Sequence, residues 1–242
     1  MNTKLSNKTI VVRFLFILIV ATQSCTVSSL NPLYTDKDRV HLEELNGEWI
    51  DQDQTIYEIK TIVDSLGLNE PAVKTKDGEE SYNFDFFTTE KRKKEKIKRI
   101  KRYAKNPDLR KHYKVTIISK KDTCVLDGRL SNLDDHYFID VVPNEDDMYD
   151  KMGDTYAAGL MSRNHGFLKL HLKKNEINFN SLEQDAFDEL VQTKKIRIEH
   201  VNRDNKIIIT AKTEDIQKFL IKFADSEMFN NPKEALILKR TK

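Results

Sequence analysis

Tyr113-Lys114-Val115-Thr116-Ile117-Ile118-Ser119 and Thr123-Cys124-Val125-Leu126-Asp127-Gly128-Arg129-Leu130 are two strand-like runs joined by Lys120-Lys121-Asp122. β-Branched side chains suit a pleated, half-buried surface, and a short polar link between two such runs is the pattern of a hairpin. A third run, Tyr137-Phe138-Ile139-Asp140-Val141-Val142, ends at Pro143. Proline lacks the backbone donor that a strand ladder needs.

The same pattern extends in both directions. Thr55-Ile56-Tyr57-Glu58-Ile59 reads as a strand, and Tyr82-Asn83-Phe84-Asp85-Phe86-Phe87 alternates aromatic and polar after the turn signal Lys76-Asp77-Gly78-Glu79. Downstream, residues 166–172 meet 177–180 across Lys173-Lys174-Asn175-Glu176, and 196–201 meet 206–210 across Asn202-Arg203-Asp204-Asn205. Many short strands with tight connections predict a mainly β fold with added helices (α+β), its antiparallel sheet curled into a barrel or a sandwich. Two helices interrupt the strands. Ser181 is placed to cap one over 182–191, with Leu182, Ala186, Phe187 and Leu190 on one face. Thr213-Glu214-Asp215-Ile216 opens the other, which aligns Ile216, Phe219, Leu220 and Phe223. Stripes of this kind fill cores far more often than they line cofactor sites.

Ahead of the first strand, residues 38–45 predict a short helix that delivers the chain to Leu45-Asn46-Gly47-Glu48-Trp49-Ile50. Gly47 and Trp49 resemble the Gly-x-Trp opening of lipocalin-like barrels, in which the first strand starts at a glycine and an indole closes one end. Glycine permits close backbone approach, while a buried Trp fills a wide gap and offers one N–H. The resemblance implies a basic residue of the last strand over the indole, and Arg240 is the matching residue. A Trp in an unrelated β core is the competing explanation.

The N-terminus carries a different signal. Lys4, Lys8 and Arg13 precede Phe14-Leu15-Phe16-Ile17-Leu18-Ile19-Val20-Ala21, the order of a secretion signal. The apolar run is shorter than the ~20 residues of a spanning helix. Ala21-Thr22-Gln23-Ser24-Cys25 resembles a bacterial lipobox, which implies a signal peptide over 1–24 and a lipidated Cys25 as the mature N-terminus. Ordinary secretion with cleavage near Ser24 is the alternative, and it would leave Cys25 free to pair with Cys124. Residues 25–40, with Pro32 and little periodicity, read as an extended tether, followed by a single β-rich domain over 41–242. Asn31-Pro32-Leu33-Tyr34-Thr35-Asp36-Lys37-Asp38 with Gly47-Glu48-Trp49 resembles the opening of uncharacterised Bacteroidetes-type lipoproteins. That resemblance implies a lipid-anchored place in the cell envelope, and with Asp36 as the first acid after Cys25 it favours the periplasmic side of the outer membrane.

Charge separates the partners further. Lys4, Lys8 and Arg13 belong to the signal, which leaves 38 basic against 39 acidic residues in the rest. So balanced a domain points to no polyanionic partner. Its exception is the predicted helical insertion over 90–106, where from Lys91 to Lys105 the residues Lys91, Arg92, Lys93, Lys94, Lys96, Lys98, Arg99, Lys101, Arg102 and Lys105 face a single acid, Glu95. Ile97, Ile100, Tyr103 and Ala104 form a narrow apolar stripe on such a helix. A solvated insertion is one reading and contact with anionic lipid headgroups is the other; export argues against nucleic acid.

Catalytic patterns are sparse. His165 and His171 fall on one face of a strand, and His136, Asp140 and the acidic run Glu145-Asp146-Asp147 with Asp150 and Asp154 could supply ligands. The acids miss the calcium-loop register, so no metal or cofactor is expected and the run reads as a surface loop. Ser162 near His165 lacks a nucleophile elbow. Two function classes follow: a lipid-anchored, non-enzymatic envelope protein that binds a small apolar ligand or a protein partner, and an envelope hydrolase that uses His165 with Asp140 or the 145–154 acidic loop.

Overall fold

The computed structural model describes residues 27–62, 73–74, 80–81, 98, 111–152, 163–203, 206–230 and 235–241. Its strands are β1 (Ser28–Ser29), β2 (Gly47–Ile50), β3 (Ile56–Thr61), β4 (Val73–Lys74), β5 (Glu80–Ser81), β6 (His112–Ile118), β7 (Thr123–Leu133), β8 (His136–Pro143), β9 (His165–Lys173), β10 (Glu176–Ser181), β11 (His200–Arg203), β12 (Lys206–Ile209) and β13 (Leu236–Arg240). Strands β10, β13, β2, β3, β6, β7, β8 and β9 are hydrogen-bonded in that order, and β9 pairs again with β10. The sheet therefore closes on itself as an eight-stranded antiparallel barrel of lipocalin-like form rather than a sandwich. The β6–β7 and β7–β8 hairpins supply its longest ladders.

Period-2 alternation decides what fills the barrel. Leu126 and Leu130 of β7 and Ile139 and Val141 of β8 face the lumen with Trp49, Ile59, Tyr113, Leu170, Ile177 and Leu238. The opposite parity faces outward, and there the wall carries a second apolar core. Leu133, Phe138 and Phe167 pack against α2 (Gln184–Gln192), α3 (Thr213–Phe223) and a 3₁₀ turn at Glu227–Phe229. A small sheet extends that outer layer: β1 pairs antiparallel with the start of β9 and parallel with β12, which pairs with β11. No helix among the described residues is long and apolar enough to cross a membrane.

Several local expectations need correction. Residues 27–40 are extended but docked as a strap on the barrel's outer wall. Leu33 is fully buried, its N–H donates to Asp140 Oδ2 at 3.0 Å, and Val40 N–H donates to the Leu130 carbonyl at 2.9 Å. Pro32 prevents a helix, yet the outer wall offers the extended backbone partners, so lack of periodicity does not mean a free tether. The acidic run is a helix, α1 (Glu145–Met152). Asn144 Oδ1 accepts the Asp147 N–H at 3.1 Å, and acids in a first turn suit the helix dipole. Only Glu43–Leu45 of the expected 38–45 helix turns, as a 3₁₀ element. Ser181 ends β10 instead of capping α2. Ile196 and Ile198 are buried, but the strand begins only at His200. Alternation sets which side chains are buried, not which backbone finds a ladder partner. The expected 82–87 strand lies outside the described residues.

Candidate functional site

One end of the barrel is sealed. Gly47 opens β2 at φ 143°, a conformation that glycine adopts readily. A Cβ there would lie 2.6 Å from Arg240 Nη1, so the same glycine leaves room for the guanidinium. Arg240 lies 4.2 Å from the centroid of the Trp49 ring and donates to the carbonyls of Asn46, at 3.0 Å, and Glu44. The indole N–H donates to the Leu45 carbonyl at 3.0 Å. One cation thus ties the last strand, the first strand and the 3₁₀ turn together, with about 0.5–2 kcal/mol from the cation–π contact alone. Tyr113 pins the chain just before that turn: its hydroxyl accepts the Leu42 N–H at 2.8 Å and lies 3.1 Å from the Leu42 carbonyl oxygen. Burial pushes its phenol up to about 12.

Beside this sealed end lies an open groove of about 630 Å³. That volume falls within the range of small-molecule sites. Its floor is apolar: Leu42, Tyr137, Leu170 and Leu172 all belong to, or pack against, the lumen cluster. Its rim is polar and of mixed charge, with Asp135, His136, His171, Lys173 and Lys174 from the β7–β8 and β9–β10 ends and Glu44 from the 3₁₀ turn. Burial pushes the His171 imidazole below its ordinary value, and the charges of Lys169 and His136 act in the same direction. Lys169 is committed elsewhere, since its ammonium donates to the Ala224 carbonyl at 2.6 Å and pairs with Asp225 at 3.2 Å. No pattern in the sequence marks this groove, which forms only where a chain crossing meets two strand ends.

The outer wall holds the molecule's densest set of buried charges. Asp140 is 1% exposed, and its Oδ1 lies 2.7 Å from His165 Nδ1 while Oδ2 takes the Leu33 amide. On β7, Asp127 accepts from Asn144 Nδ2 at 2.8 Å and Arg163 Nη2 at 3.2 Å, with His112 Nε2 3.6 Å away. Burial pushes the Asp127 carboxyl up, but the nearby His112 imidazole, the hydrogen bond from Asn144 and the Arg129 charge outweigh it and hold the group low. Burial dominates at His112 and lowers its imidazole. The Tyr34 ring lies between the guanidiniums of Arg39 and Arg129, 5.8 and 5.9 Å from its centroid.

His165 and Asp140, named from sequence as a potential acid–base pair, are thus brought together, and an aspartate can orient an imidazole for proton transfer. The second oxygen of that aspartate is spent on fastening the strap. Among the described residues no hydroxyl or thiol is hydrogen-bonded to His165 Nε2, and Ser162 and Asp154 lie outside them. His171 shares the outward face of β9 but is six residues on, about 20 Å away at strand rise. The acids of α1 serve local structure: Asp147 accepts the Val125 N–H at 3.1 Å, and Glu145 lies 3.5 Å from Arg163. Among the described residues no group of three His, Cys, Asp or Glu side chains could hold a metal ion. Cys124 is a half-buried free thiol whose burial raises its pKa. Cys25 lies outside the described residues, as does the basic run, apart from Lys98, which is helical and exposed. The run is inserted between β3 and β6, neighbours in the barrel, at the sealed end.

Comparison with protein-family models, curated proteins and solved structures finds no match to this chain.

Proposed function

We propose that the protein is a lipid-anchored, non-enzymatic component of a bacterial cell envelope, held through acylated Cys25, that binds a small apolar ligand at the mouth of its barrel, beside the sealed end. One observation carries the binding reading. The lumen at the sealed end is filled by Trp49, Ile59, Tyr113, Leu130, Ile139, Ile177 and Leu238, whereas the adjoining groove has an apolar floor and a lysine-bearing rim. The packed sealed end has no room for a guest, so the ligand belongs in the groove beside it. Glu44 and Asp135 line the groove together with Lys173 and Lys174, so its apolar floor rather than a net charge recommends it as a binding site. The filled lumen equally favours a second reading, in which the groove takes an apolar side chain of a protein partner.

The location rests on the signal-like segment 1–24 and the lipobox-like Cys25, and the outer membrane on its periplasmic side is the proposed address. Two or three acyl chains, at ~0.8 kcal/mol per buried CH₂, make a lasting anchor where one is marginal. Headgroup contact by the basic run that includes Lys98 is the competing orientation, with the sealed end toward the lipid. Nucleic acid has no place in this reading. Mass spectrometry of the protein from native membranes should find an acylated Cys25 N-terminus, a Cys25→Ala variant should leave the membrane fraction, and solvent extraction or cross-linking should recover the bound molecule. Wild-type protein that is unmodified and freely soluble would overturn the anchor; protein that carries neither ligand nor partner would overturn the binding role.

A further inference from the structure

We infer that the outward face of the β1–β12–β11 sheet is seated on the bilayer, with Leu30 and Val201 in the headgroup region. The inference rests on acylation of Cys25 and goes beyond it, because acylation by itself leaves orientation free. Cys25 stands two residues before Val27, which is buried in the outer core. Two residues of extended chain reach about 7 Å. The strap is docked from Val27 onward, so that distance is all the slack the anchor has. Whatever surface surrounds β1 must then lie against the lipid.

That surface is apolar where it should be. The register aligns Ser28, Ile208 and Val201 in one row across the three strands, and Leu30 follows Ser28 on the same side. The alternate residues Ile207 and Ile209 point inward and are fully buried. Leu30 is 51% and Val201 48% exposed, the two highest values among the large apolar side chains described. Arg203 and Lys206 are directly paired at the end of the same face. Charges on an edge strand also discourage pairing with another sheet. That need explains Arg203 but not an exposed leucine and valine beside it. The basic insertion springs from the opposite, sealed end of the barrel.

The test uses acylated full-length protein in vesicles of phosphatidylethanolamine and phosphatidylglycerol. An environment-sensitive fluorophore is placed at Val201→Cys or, as the reference, at exposed Lys60→Cys on β3, each with Cys124→Ala, and the Cys25 modification is checked by mass in the same preparation. The label at 201 should shift to the blue and be quenched by nitroxide-labelled lipid, while the label at 60 should remain open to an aqueous quencher. Hydrogen exchange of the unlabelled wild type gives an independent reading: amides of β11 should slow on vesicles relative to detergent solution. Acylated protein with an aqueous label at 201 and unchanged β11 exchange would overturn the seating alone. An unacylated Cys25 would overturn the anchor and the seating together.

Discussion

The two ends of the barrel are built differently. At the sealed end, Trp49, Tyr113, Leu45 and Leu238 are excluded from solvent, and Arg240 locks the first and last strands to the 3₁₀ turn. At the far rim the lumen-facing residues Tyr57, Ile117, Leu126, Val141, Leu168 and Leu236 are only half-buried, and it is there that β1 joins the start of β9. A filled end tolerates little change, while a partly covered rim can lose atoms to solvent at low cost. The contrast assigns stability to the sealed end.

Trp49→Ala should produce the largest loss, about 4 kcal/mol in denaturant unfolding, because it empties the sealed end and deprives Arg240 of its platform. Asp140→Ala should follow at about 3 kcal/mol, since it breaks a buried, charge-assisted contact and frees the Leu33 amide. Exchange at Leu33 should accelerate in that variant, which would show that the strap is held from the barrel wall. Ile117→Ala at the far rim should cost about 1 kcal/mol; a loss equal to that of Trp49→Ala would erase the distinction between the ends.

Acid should give the smallest effect, in two stages. His112 has a lowered imidazole in the folded protein, so below the ordinary value of 6.5 the unfolded chain binds the proton more readily and stability falls. Asp127 is likewise lowered in the folded state, so its contribution is present above the ordinary value of 3.8 and disappears as the pH falls through its folded value. In unfolding measured between pH 7 and 5, His112→Gln should flatten the first stage; in a series carried below pH 4 it should also weaken the second, because His112 helps to hold Asp127 low.

The inner wall was legible in the sequence because alternation at period 2 survives in each strand, from Val115 and Ile117 to Leu168, Leu170 and Leu172. Gly47, Trp49 and Arg240 could be named together because two of them form a local motif and the third stands on the last strand. The outer wall was not legible. Asp127, Asp140 and Lys169 occupy polar positions in an alternating strand, which reads as solvent-facing; Asp140 is met by the strap, Lys169 by the residues that follow α3, and Asp127 by Asn144 and Arg163. The strap looked like a tether because its partners, Asp140 and Leu130, are about a hundred residues away in sequence. The groove has no motif at all, since Leu42, Tyr137 and Leu172 come from three separate elements.

Energy transfer from the single tryptophan offers the most direct test of binding in the groove at the barrel mouth. Trp49 sits at the sealed end next to the groove, so a dansyl-labelled fatty-acid analogue bound there should draw its emission. The account predicts saturable transfer in the wild type that Leu172→Arg abolishes without unfolding the barrel. Saturable binding that survives Leu172→Arg, or no transfer at any concentration, would contradict it.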